Sequence, residues 1–351
     1  MSLEAQCDAR VLITGADGFV GSHCVDKLAA RGFTNVRCAV LNASSKSACA
    51  LVSHVQKTHG LTLKLVQCDV LKDDGWPEAL FGCAYLIHTA APVDKYRTEE
   101  EVRQSVRIAI EGTRRVVQAA MRAGVNRIVM TSSQAAAIAH PANQPLYPCG
   151  GYKYDPLFDC ERYQATEADW TPTEELPLGY LFAKTQSERE AWACVEGSAT
   201  QLVTINPAII LGPPLHKDMV GFSTAQTMRS FFGESATDPQ GGSMSLMFQL
   251  GVPPIAMDVV DVRDVAEAHI RSLLSPAAAS NRYLLCGHAA HVPVVVSILA
   301  NQFNPAGHAE IAPRSSGEKR TGRASTGSIA ESLNPAGTTS AHGSSLGCPS
   351  F

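Results

Sequence analysis

Residues Gly15 to Gly21, Gly-Ala-Asp-Gly-Phe-Val-Gly, restrict the fold more than any other segment of this chain. They follow a short apolar run, Arg10-Val-Leu-Ile-Thr14. They precede a stretch, Phe19 to Arg31, whose residues Val20, Cys24, Val25 and Leu28 recur at helical spacing. A run like the first fits a strand buried on both faces of a parallel sheet. Strand, glycine-rich turn and helix, in that order, give such a triplet the context of a dinucleotide site. Residues without a Cβ let backbone approach a pyrophosphate, and the helix N-terminus turns unpaired N–H groups and a positive dipole end toward it. The candidate contacts are Gly15, Asp17, Gly18, Phe19, Val20 and Gly21. The alternative is a tight turn that holds nothing, and the rest of the chain decides between the two.

The alternation continues. Val36 to Leu41, Leu61 to Val66, Ala84 to His88, Arg127 to Met130 and Leu202 to Ile205 read as strands. Glu99 to Ala123 and Gly179 to Val195 read as helices. Such a pattern implies an α/β fold, a doubly wound parallel sheet that binds ligands at the carboxyl ends of its strands. Thr131-Ser-Ser133 and Asn206-Pro207 fall at such ends. We expect this domain over 8–206, with elements near 255–290 returning to it, and a smaller, partly interleaved C-terminal substrate lobe over 207–311. Two stretches break the rhythm. His140 to Tyr163, rich in proline and tyrosine, reads as an inserted surface loop. Residues 312–351, rich in Ser, Gly, Thr and Ala, read as a disordered or atypical tail.

Composition removes several classes of function. A net charge of −4 gives no general pull toward nucleic acid or anionic membranes. No apolar run approaches the ~18 residues of a membrane span, and residues 1–10 carry no secretory pattern. The eleven cysteines are odd in number and scattered without a Cys-x-x-Cys pair. They read as small buried hydrophobes of a reducing cytoplasm. The eleven histidines show no His-Glu-x-x-His spacing, so no metal is expected.

Chemistry enters with Gly179-Tyr-Leu-Phe-Ala-Lys184. Positions i and i+4 share a helix face, so Tyr180 and Lys184 can act together. A free phenol, with a pKa of ~10, exchanges its proton poorly near neutrality, and a cation one helical turn away lowers the cost of the phenolate. Ser133, at a strand end, could hydrogen-bond a carbonyl oxygen and hold it near Tyr180. A tyrosine half-buried on an amphipathic helix, with a solvated lysine, is the plainer reading of the pair. The glycine triplet and the serine motif on the same chain favour the chemical one.

Together, Gly15-x-x-Gly18-x-x-Gly21, Thr131-Ser-Ser133 and Tyr180-x-x-x-Lys184 resemble the extended short-chain dehydrogenase/reductase family. Its Rossmann-type sheet is the fold expected above. His88-Thr-Ala-Ala-Pro92, Glu111-Gly-Thr113, Asn206-Pro207 through Gly212-Pro213, and Asp261 to His269 are similar to its dihydroflavonol reductase-like branch. Within that branch the fungal ketone/aldehyde (methylglyoxal-type) reductases look nearest. The resemblance spans about residues 9 to 300. It implies Tyr180 as general acid, Lys184 as its partner and reaching the cofactor ribose, and Ser133 as the carbonyl-orienting group. It also implies that Asp69 and Val70 contact the adenine, Thr89, Ala90 and Ala91 line the cofactor, and Pro207 meets the nicotinamide.

The chain departs from the branch in places. Leu41-Asn42 stands where many members hold the NADPH 2′-phosphate with an arginine, and no carboxylate there selects NAD. NADPH is the expected cofactor, with NADH second, and Arg37 and Lys46, beside Ser44 and Ser45, are the cations offered for the phosphate. Ile138 replaces the asparagine that reads flavonoid phenols in plant relatives, and Leu178-Gly-Tyr-Leu-Phe182 does not match the cinnamoyl-CoA reductase signature. The expected activity is reduction of a small or medium, largely apolar ketone or aldehyde, within secondary metabolism, by a cytoplasmic monomer or homodimer. A sugar-nucleotide epimerase or hydroxysteroid-type dehydrogenase shares the same triad. A non-catalytic NADP-sensing regulator is the reading from another class.

Overall fold

In the computed structural model, residues 7–91, 98–137, 165–174, 176, 178–219, 256–291, 294, 295 and 298 are described. The expected loop at 140–163 and tail at 312–351 lie outside them. So do residues 220–255, within the expected substrate lobe.

Strands β1 (Val11–Thr14), β2 (Val36–Val40), β3 (Lys64–Gln67), β4 (Tyr85–His88), β5 (Arg127–Thr131), β6 (Gln201–Pro207) and β9 (Arg282–Leu285) form a seven-stranded sheet in the order β3-β2-β1-β4-β5-β6-β9. Every neighbouring pair in it is parallel. A second sheet joins β7 (Ile209–Leu211), β8 (Ala256–Asp261) and β10 (His288–His291) in the order β10-β8-β7. The main sheet reverses direction of growth between β1 and β4, which opens a crevice at their carboxyl ends.

Alternation along each strand builds two cores. Val11 and Ile13 of β1 face one helical layer, made by α1 (Phe19–Ala30), α2 (Lys46–His59) and α6 (Val262–Leu274). Leu12 faces the other, made by α3 (Trp76–Leu80), α4 (Glu99–Arg122) and α5 (Tyr180–Val195). Leu12, Ile13, Leu28, Leu51, Leu86 and Ile128 are fully buried. Each such side chain contributes about 1.5–3 kcal/mol through removal of apolar surface from water. The helix starts are locally encoded. Thr98 and Glu101 close a reciprocal capping box on α4, and Ser45 accepts from Ala48 N at the start of α2. Cys24, Cys38, Cys68 and Cys83 are buried free thiols, pushed up by burial, whereas Cys49 and Cys286 are exposed, which corrects the expectation that the cysteines are buried throughout.

Two boundaries differ from the sequence reading. Gly60 ends α2 in the left-handed region at φ 68°, and the chain runs without pairing until Lys64, so β3 starts three residues later than Leu61. Leu41 falls outside β2 and is exposed, because the strand ends at Val40. Helix α3 escaped the sequence reading; Pro77 in its first turn and five residues of length give no period to detect.

Candidate active site

The glycine turn closes the crevice at the end of β1. Gly15 has φ 61°, a conformation that a side chain disfavours, and a Cβ there would sit 3.0 Å from Ala90 N and Cα. A Cβ on Gly21 would overlap Gly15 O. Gly18 is different. It is exposed, at φ −82°, and a Cβ there would meet only Gly15 O, at 3.1 Å. It caps α1 with no side chain, leaving open the space before Phe19, Val20 and Gly21 at the helix N-terminus. That space fits a dinucleotide pyrophosphate, with backbone N–H groups and the positive dipole end facing it.

Asp17 braces the turn. Its Oδ2 accepts from Ser45 Oγ at 3.1 Å and Ser47 Oγ at 2.6 Å, joining the glycine turn to the start of α2. Ser45 is thus engaged as both donor and cap, and Lys46 stands exposed beside it. Arg37 is corrected by the structure. It lies near the amino end of β2, away from the crevice, and its guanidinium donates to the carbonyls of Glu78, Ala79 and Phe81 at 2.6, 2.9 and 3.2 Å. Strand alternation turns it, with Ala39, toward the α3 side, so it closes the end of α3 and is unavailable to a 2′-phosphate.

The exits of β1 and β4 are latched together. Thr89 Oγ1 donates to Thr14 O at 2.7 Å, and Thr14 Oγ1 accepts from Ala90 N at 3.1 Å. The Thr14 hydroxyl is also hydrogen-bonded to His88 Nδ1, 2.8 Å away. Burial, with Lys184 adding to it, pushes His88 down to about 4, so the ring is neutral beside the lysine. Asp69 Oδ1 accepts from Leu71 N, shaping the turn that presents Val70. Val70 packs on Gly112, where a Cβ would lie 3.1 Å from it. Val70, Ala90, Ala91, Thr131, Tyr180 and Lys184 share the lining of one cavity.

On the other side of that cavity Tyr180 is the first residue of α5, 44% exposed, with its hydroxyl 3.4 Å from Ser133 Oγ. That is the outer edge of hydrogen bonding, as is common before a substrate draws such groups together. Ser133 Oγ also accepts from Ala135 N at 3.1 Å, which leaves its own proton free to be donated. Lys184 Nζ donates to Thr131 O at 3.4 Å. Thr131 Oγ1 donates to His269 Nε2 at 2.7 Å, while His269 Nδ1 donates to Val265 O. Pro207, offered for the nicotinamide, is buried at the end of β6, paired in register with Leu285.

Behind the serine lies a network that the sequence reading missed. Glu188, wholly buried on α5, accepts from Ser132 Oγ, Thr204 Oγ1, Asn206 Nδ2 and Arg282 Nε at 2.5, 2.9, 2.7 and 2.6 Å. Asn206 Nδ2 also donates to Ser133 O. Arg282 reaches on to the carbonyls of Glu167, Asp169 and Ala136 and stacks 3.8 Å from the centre of the Trp170 ring. One carboxylate therefore ties α5 to β5, β6 and β9 directly behind Ser133. Its spacing, four residues past Lys184 on the same helix, was the one signal available.

With this geometry in place, comparison with known proteins is informative. Residues 11–287 match the model of the NAD dependent epimerase/dehydratase family. Cinnamoyl-CoA reductase 1 of Arabidopsis thaliana is 30% identical over 295 residues, 84% of this chain and 74% of that one. Tetraketide alpha-pyrone reductase 1 of the same plant is 28% identical over 304 residues, 85% and 82% of the two chains. A yeast methylglyoxal/isovaleraldehyde reductase crystallised with NADPH superposes with a TM-score of 0.66 at 22% identity, covering 86% of this chain and 85% of that one.

Proposed function

From the premise that the chain belongs to the NAD dependent epimerase/dehydratase family and is an NAD(P)H-dependent oxidoreductase, we propose that it reduces the carbonyl of a small or medium, largely apolar ketone or aldehyde, with NADPH as donor. One observation carries the reading: the Tyr180 hydroxyl sits 3.4 Å from Ser133 Oγ, with Lys184 one helical turn along and both Tyr180 and Lys184 lining the cavity that Val70, Ala90 and Ala91 border.

Bound along the glycine turn, reduced nicotinamide supplies the hydride. The backbone before Phe19, Val20 and Gly21 would hold the pyrophosphate, Asp69 and Val70 the adenine, Thr89, Ala90 and Ala91 the middle of the cofactor, and Pro207 the nicotinamide. Ser133 donates to the carbonyl oxygen and fixes it toward Tyr180. Tyr180 gives its proton to that oxygen as negative charge develops there, and Lys184 stabilises the phenolate left behind. General acid catalysis of this kind contributes about 10²–10⁴-fold. Neutral His88 keeps a second cation away from Lys184.

Names of the relatives support reduction of a carbonyl within secondary metabolism. The NADPH-bound yeast structure supports the choice of cofactor, and Lys46 is the cation left for its 2′-phosphate once Arg37 is withdrawn. The test is NADPH oxidation over a panel of ketones, aldehydes, diketones and hydroxycinnamoyl thioesters. Turnover of an apolar carbonyl is expected. Tight cofactor binding with no turnover across the panel would favour a cofactor-sensing regulator instead.

A further inference from the structure

Away from the crevice, α1 and α2 meet at three side chains with no part in the chemistry above. His54 Nε2 and His59 Nε2, both on α2, each lie 2.8 Å from the same oxygen, Asp26 Oδ1, on α1. The ligand atoms of all three residues lie within 4.8 Å of one another. Their side chains are 27%, 17% and 26% exposed, which leaves one side open to solvent.

We propose that Asp26, His54 and His59 form a binding site for a borderline divalent transition metal, of which Zn²⁺ is the type, with water completing the shell. Two imidazoles and a carboxylate are a recurrent donor set for such ions, and a fourth, open position is normal for it. The two rings converge on one carboxylate oxygen, and an ion placed between them satisfies both nitrogens and the oxygen together. At metal–ligand distances of about 2.0–2.2 Å, tetrahedral ligand atoms stand about 3.3 Å apart, so each ring must withdraw by only about half an ångström. The ion would clip α1 to α2, while Asp17 with Ser45 and Ser47 joins the glycine turn to the start of α2. Periodicity does not show the site, because Asp26 is distant in sequence and His54 and His59 stand five apart, outside a single helix face.

The experiment uses metal-stripped full-length protein, titrated with Zn²⁺ by calorimetry and with Co²⁺ by visible absorption. The expected result is one site with a dissociation constant in the micromolar range or tighter. Co²⁺ should develop d–d bands without a thiolate charge-transfer band. His54→Gln and His59→Gln keep an amide donor for Asp26 but remove a ligand, and each should weaken binding at least ten-fold. Unchanged affinity in a folded glutamine variant would overturn the proposal, since exposed cysteines or other histidines would then hold the ion. Absence of a Co²⁺ spectrum in the wild type would overturn it without any variant. Neither readout is activity, so failure here leaves the reductase reading standing.

Discussion

The two walls of the crevice are built by different means. The cofactor wall, at the exits of β1, β2 and β4, is shaped by backbone: an open Gly18, a left-handed Gly15, and a few short bonds through Asp17 and Thr14. The catalytic wall, at the exits of β5 and β6, is shaped by side chains that converge on the buried Glu188 of α5 from β6, from β9 and from Ser132 just beyond β5. Backbone walls suit a cofactor that every member of such a family binds alike. A side-chain network holds the backbone of Ser133 through Asn206, at the cost of depending on every member being present.

Breaking the cofactor wall should have the largest effect. Gly18→Val is allowed at φ −82° and asks Gly15 O, 3.1 Å from the new Cβ, to give only slightly, so the variant should fold; its branches fill the space before α1, and calorimetry should show NADPH binding abolished. Undiminished affinity would mean that the glycines serve the turn alone. On the catalytic wall, Glu188→Ala leaves Arg282 buried and unpaired, and should cost about 3–5 kcal/mol in denaturant unfolding. A cost below about 1 kcal/mol would show that the network is ornamental to the wall.

Acid should sharpen the contrast next. His88 and His269 are both pushed down to about 4 by burial, from a usual value of 6.5. In the unfolded chain they take up protons first, so their contribution is complete above pH 6.5 and is lost as pH falls toward 4. The slope is at most about 1.4 kcal/mol per pH unit for each ring. Melting temperature followed from pH 7 to 4 should drop, and His269→Gln should flatten the profile. A level wild-type profile would contradict the buried neutral rings. The smallest effect is expected at the exposed Lys46. Lys46→Ala should raise KM for NADPH about ten-fold while barely changing that for NADH, by loss of one charge-assisted bond. Equal changes for both cofactors would remove Lys46 from the phosphate site.

The same contrast explains what the sequence revealed. Glycines, a strand and a helix in immediate succession encode the cofactor wall locally, and Tyr180 and Lys184 are one turn apart, so both could be read without a structure. Arg37 was legible as a cation inside β2, but the carbonyls of Glu78, Ala79 and Phe81 that hold it lie about forty residues on and meet it only in the folded chain. Glu188 and Arg282 lie 94 residues apart and meet only when β9 is laid beside β6, a pairing that no local period encodes. His269, which fixes Thr131, is equally remote in sequence.

The central claim is that Tyr180 gives the proton in a carbonyl reduction, and Tyr180→Phe tests it most directly because the ring and its packing remain. Turnover with the best carbonyl of the panel, measured at saturating NADPH, should fall by about 10²-fold or more. NADPH affinity, measured by titration of the same variant, should stay within a few-fold of wild type. Near-normal turnover in Tyr180→Phe would contradict the account.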